Sequence, residues 1–132
     1  MCSSDLELAA LREQVTDAQI RDRVAHFHDK FDVQPDCSQP ELQRAARTSV
    51  ALDRLVAEHD LGSMAYYYMG TGNPANEDAI SSIILGNSLL TGRGIPVAGE
   101  LEVKNAQAMK IMVTCPHDLI HLLVPNHRVC QP

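Results

Sequence analysis

Hydrophobic positions change period along the chain, and those changes mark its elements. Leu8, Ala9, Ala10, Leu11 and Val15 form a run too short for periodicity to assign to strand or helix. Ile20, Val24, Phe27 and Phe31 then recur at helical spacing, with Arg21, Asp22, Arg23 and Asp29 turned away. Thr16 and Gln19 have the form of a capping box, so the spacing predicts a helix over 17–31. The next helix starts at Ser38, with Pro40 in its first turn and Glu41 three residues after the cap. Leu42, Ala45, Ala46, Ser49, Leu52 and Val56 make its buried stripe, and Gly62 is the expected stop.

Beyond Gly62 the pattern becomes that of strands. Ser63 to Met69 reads as a strand whose consecutive Tyr66, Tyr67 and Tyr68 alternate sides and serve core packing. A helix over 77–91 follows, apolar around most of its circumference and therefore buried. Asn87 stands inside its Ile80/Ile84 stripe, where an unpaired amide is costly, so a backbone or loop partner is expected. Gly94 to Gly99 then reads as a buried strand that ends at Glu100 and leads straight into a helix from Leu101. The order strand, helix, strand, helix implies parallel pairing. The expected fold is α/β: a partial domain with a Rossmann-like parallel sheet and flanking helices.

Composition narrows the partners. The 132 residues carry a formal net charge of -6 without a cluster of Lys or Arg, which argues against nucleic acid or an anionic membrane. Arg44 and Arg47 read as part of a solvated helix face, with an anion site as the weaker alternative, and His26 with His28, two apart, as surface or core-edge histidines rather than ligands. No apolar run reaches the roughly 20 residues that span a bilayer, and no n-region and h-region pair marks a signal peptide, so the expected setting is cytoplasmic. The four cysteines form no CxxC pair. Residues 1–6 read as a non-native leader resembling a translated sequencing adapter.

Glu100 is the first candidate for chemistry, because open α/β sheets bind ligands at the carboxyl edge of their strands. Gly70-Thr71-Gly72-Asn73-Pro74-Ala75 fits the outline of a dinucleotide loop and supports an alternative reading as a nucleotide-binding module. Pro74, Glu77 and Asp78 count against it, since carboxylates at a helix start repel a pyrophosphate.

Ala65-Tyr66-Tyr67-Tyr68, Ile83 to Thr91, Gly94 to Glu100 and Val103 to Met112 together resemble the central domain of the L-arabinose isomerase and L-fucose isomerase group, most nearly its arabinose isomerase-like members. The resemblance spans residues 7–112, and Ala98-Gly99-Glu100 is its most specific motif. It implies a metal-dependent aldose–ketose isomerase acting through an enediol on a sugar such as L-arabinose. Glu100 would be both a ligand of a divalent ion, typically manganese, and an acid/base carboxylate. Met69, Gly70 and Asn73 would line the sugar pocket. The intact enzyme would be a homo-oligomer, its remaining ligands lying in domains outside this segment.

After Met112 the resemblance stops. It implies a glycine-rich continuation, a second glutamate and later histidines, whereas residues 113–132 hold three histidines, two cysteines and three prolines in no such order. The stretch reads as a frameshifted or misjoined tail. A zinc-binding Cys/His interaction domain is the other reading, although no pair has a zinc spacing. On either reading the chain alone is expected to be inactive.

Overall fold

A computed structural model describes residues 3–67 and 72–115, with side chains from Glu7 onward. The first apolar run is a helix, α1 (Ser3–Glu13), which buries Leu8 and Leu11. The second, α2 (Asp17–Lys30), begins on the expected capping box: the Gln19 amide donates to the Thr16 side chain, and the Thr16 amide to the Gln19 side chain at 3.1 Å. Its buried face is Ile20 and Phe27.

The third helix, α3 (Gln39–Glu58), is the centre of the molecule. Leu42, Ala46, Thr48, Ser49, Val50, Ala51, Leu52 and Leu55 are all buried, a set too wide for one stripe. Each of its sides is covered by a different neighbour: α1, α2 and α5 (Ile84–Gly92) all pack against it. Burying a side chain such as Leu52, which is 0% exposed, contributes about 1.5–3 kcal/mol, so the stabilising core is helix against helix. Polar pairs fix the crossings. Arg23 bridges α2 to Asp53 of α3 and donates to the Ser49 hydroxyl at 2.8 Å, and Arg93 reaches the same Asp53 from the end of α5.

The expected helix over 77–91 is two helices, α4 (Pro74–Ser81) and α5, separated at Ser82 and Ile83. The Ser82 hydroxyl bonds back to the Asp78 carbonyl at 2.7 Å, and it also meets the Thr48 hydroxyl of α3 at 2.6 Å. Short-range bonds from Ser82 to Ala79 and from Ile83 to Ile80 tighten this turn, and the break lets Ile83 drop into the core at 1% exposure. The two pieces are also less enclosed than an all-round apolar helix implies, since Ile84 is 60% exposed.

The α/β, Rossmann-like expectation is not met. Among the described residues six helices accompany a single two-stranded parallel sheet, β1 (Met64–Ala65) with β2 (Val97–Ala98), in the register Met64 to Val97 and Ala65 to Ala98. The two strand runs do pair in parallel, but for two residues each. Pro96 has no amide donor to extend the ladder on one side, and Glu100 and Leu101 turn left-handed on the other, with φ of 57° and 54°. So short a sheet cannot carry a layered core, and the apolar surface goes to the helices around α3 instead. The last helix, α6 (Val103–Thr114), starts after that turn rather than at Leu101 and packs on β1 and β2. No helix among the described residues is long and apolar enough to cross a membrane.

Candidate functional site

The carboxyl ends of β1 and β2 open onto a cleft of about 460 Å³ between the sheet and α5. Tyr66, Val97 and Gly99 line it from the sheet side, and Asn87, Ser88 and Thr91 from one face of α5. The positions 87, 88 and 91 meet there because residues three and four apart share a helix face. The Tyr66 ring lies over Gly99: a Cβ placed on that glycine would stand 3.9 Å from the ring and its hydroxyl.

Asn87 is the unusual member. It is 9% exposed, its backbone amide donates to the Ile83 carbonyl at 3.0 Å, and its side-chain Oδ1 is buried without a partner among the described residues. Among the described residues the expected backbone or loop partner for this side chain is not found. An unsatisfied buried amide costs on the order of 1–3 kcal/mol, and Asn87 is the lining residue that carries one.

Glu100 follows Gly99 directly, at the end of β2, and its side chain is exposed. It stands at the sheet's carboxyl edge as the sequence predicts, but in a turn of two consecutive left-handed residues rather than at a helix start. The turn is held by the Leu101 amide donating to the Tyr66 carbonyl at 2.9 Å and the Glu102 amide donating to the Gly99 carbonyl at 3.1 Å. Non-glycine residues in that conformation cost on the order of 1–3 kcal/mol each unless their surroundings impose it, and such strain gathers at functional sites. Among the described residues no group of three or more His, Cys, Asp or Glu could hold a metal ion.

The other sequence candidates lie elsewhere. Met69 and Gly70 fall outside the described residues, as does the tail from Pro116 with its histidines and Cys130. Asn73 caps α4: its Oδ1 accepts from the amides of Ala75 at 3.0 Å and Asn76 at 3.4 Å. The Gly72 amide in turn donates to the Glu77 carboxylate at 3.2 Å. The start of α4 thus spends its free amides on its own side chains and places a carboxylate where a pyrophosphate would sit, which works against the dinucleotide reading. His26 and His28 are exposed on α2, as expected of surface histidines. Tyr66, read as core packing, is half-buried and lines the cleft, whereas Tyr67 is 42% exposed.

Comparison of the chain with protein-family models, with curated proteins and with solved structures gives no match.

Proposed function

We propose that this chain is part of a metal-dependent aldose–ketose isomerase of the L-arabinose isomerase-like kind, and that Glu100 is its acid/base carboxylate. The observation that carries the reading is the Asn87 side-chain carbonyl, unpaired among the described residues, beside a cleft whose wall ends at Gly99, one residue before Glu100. A polyol offers hydroxyl groups that match the side-chain amide of Asn87 and the hydroxyls of Ser88 and Thr91 along the cleft. The resemblance of Ala98-Gly99-Glu100 and its flanking segments supports the same reaction class.

In that reaction a carboxylate takes the proton from C2 of the aldose, an enediol forms, and the resulting carboxylic acid returns the proton to C1 while a second proton passes from O2 to O1. Glu100, exposed at the strand end, is the group for this transfer. The described residues do not form a manganese site by themselves, because Glu100 stands there without two further donors. The remaining donors of the intact enzyme come from outside the described residues. On the same reading the chain alone turns over no sugar, and the intact enzyme is a cytoplasmic homo-oligomer. The free thiols of Cys37 and Cys115 suit such a reducing compartment.

Calorimetric titration of the full chain tests the reading. L-arabinose is expected to bind with a Kd on the order of millimolar, and Asn87→Ala to weaken it several-fold while far-UV circular dichroism stays unchanged. NAD binding tighter than the sugar, or no saturable sugar binding at all, would overturn it.

A further inference from the structure

On another part of the molecule α1, α2 and α3 converge on a cleft of about 540 Å³ lined by four arginines, Arg12, Arg21, Arg44 and Arg47. Sequence reading made Arg44 and Arg47 part of a solvated face, yet the fold brings them to cations from two other helices. Two of the four are engaged. Arg12 and Arg44 both hold the Asp78 carboxylate, Arg44 at 2.8 Å, and Arg44 also pairs with Glu41 three residues earlier. Arg21 and Arg47 make no ion pair or hydrogen bond within the described residues. Among the described residues the lining carboxylates are Asp17 and Asp78, and with Glu41 on Arg44 four guanidinium charges meet three negative ones in a chain whose formal net charge is -6.

Like charges gather at a cost unless something compensates them. Arg12 is 6% exposed, with a buried Nε that has no acceptor among the described residues. Asp78 and Glu41 together offset Arg12 and Arg44, which leaves Asp17 against Arg21 and Arg47. We propose that this cleft is a binding site for a phosphate group, free or carried on a small monoester, with Arg21 and Arg47 as its two open ligands.

Three features select phosphate. The cations lining the cleft are all arginine and none is lysine, and the planar guanidinium fork binds phosphate oxygens in pairs. The forks come from different helices, Arg21 from α2 and Arg47 from α3, so a tetrahedral dianion with several oxygens can bridge them where a flat carboxylate engages one. Ile20 and Pro40 add an apolar wall, and the volume exceeds that of a bare anion, leaving room for the organic part of a monoester.

The test titrates the full chain with inorganic phosphate and, separately, with glycerol 3-phosphate, at low and high sodium chloride. Saturable binding that weakens with salt is expected, with the Arg21→Gln/Arg47→Gln double variant losing about tenfold in affinity, since both open charge-assisted contacts are gone. Tighter binding of glycerol 3-phosphate assigns a monoester, and equal binding assigns the phosphate group alone. In the unaltered chain, amide resonances of residues 17–21 and 43–47 should shift together on titration, a readout independent of how the variant folds. No saturable binding, unchanged affinity in a folded double variant, or shifts confined to other segments would overturn the proposal. Phosphate and L-arabinose are read at different residues, so either proposal can fail alone.

Discussion

At Gly86 the crossing of α3 and α5 leaves no room for a methyl group. A Cβ there would stand 2.6 Å from Cδ1 of Leu52 and 3.1 Å from Cα of Ser49, and the second of these is backbone that cannot swing aside. Replacing a helical glycine by alanine ordinarily stabilises by about 1 kcal/mol. Here the overlap reverses the sign, and Gly86→Ala is expected to destabilise by about 1–3 kcal/mol in urea denaturation with an unchanged m-value. In the sequence Gly86 is only a weak helix residue among Ile83, Ile84 and Leu85, because its reason is Ser49, far away along the chain. Its neighbour Asn87 was half legible. A polar residue in an apolar stripe marks an exception, but whether a partner reaches it depends on what the fold brings near. Glu100 was legible as a strand-end carboxylate, whereas its left-handed turn was not, since neither Glu100 nor Leu101 is a residue type that signals positive φ.

Helix starts were easier to read than helix ends. Thr16/Gln19 and Ser38/Pro40/Glu41 place α2 and α3 within a residue of where they begin, because a cap is a local chemical pattern. The Ser38 hydroxyl itself makes no capping bond. The end of α3 differs more: Gly62 is the expected stop, yet the helix closes at His59 and Asp60. Asp60 takes φ of 49°, and the Leu61 amide donates to the Val56 carbonyl at 3.0 Å, the six-to-one bond of a left-handed C-terminal cap. Asp60→Gly is therefore expected to raise stability by up to about 1 kcal/mol, and Asp60→Val to lower it by about 1–2 kcal/mol. Gly62→Ala should stay within about 0.5 kcal/mol in the same melts, since Gly62 lies outside the left-handed region and a Cβ there meets the Lys110 side chain no closer than 3.5 Å. Strand existence and parallel order were also legible, but strand length was not. Pairing stops where a proline lacks a donor and where the chain turns, and a count of apolar residues sees neither stop coming.

At the scale of the molecule, the sequence order pointed to a layered α/β domain, while burial is organised around α3. What decides between them is which surfaces find each other. Two-residue strands offer little area, and α3 presents buried residues to three neighbouring helices. One ionic junction ties this assembly together at Asp78, which joins Arg12 of α1 and Arg44 of α3 to α4. Burial pushes the Asp78 carboxyl up, but hydrogen bonds from Arg44 and Arg12 and their charges outweigh it and hold its pKa below the ordinary value. The same bonds, to Asp78 and then Glu41, raise that of Arg44. A carboxyl lowered in the folded state stabilises above its unfolded pKa of about 3.9, and that contribution is lost as pH falls through the lower folded value. With its side chain 43% exposed, the effect is screened. Asp78→Asn is expected to lower stability modestly at neutral pH and to lessen the loss of stability below about pH 4, measured by denaturant midpoints across the acid range.

The central claim is that the cleft beside Glu100 takes a sugar, and the position of the sugar tests it most directly. In a nuclear magnetic resonance titration of the isotopically labelled full chain with L-arabinose, the account predicts saturable shifts in the Asn87 side-chain amide and in the backbone amides of Tyr66, Gly99 and Glu100, lost in Asn87→Ala. Shifts elsewhere that leave Asn87 and Gly99 untouched would contradict it.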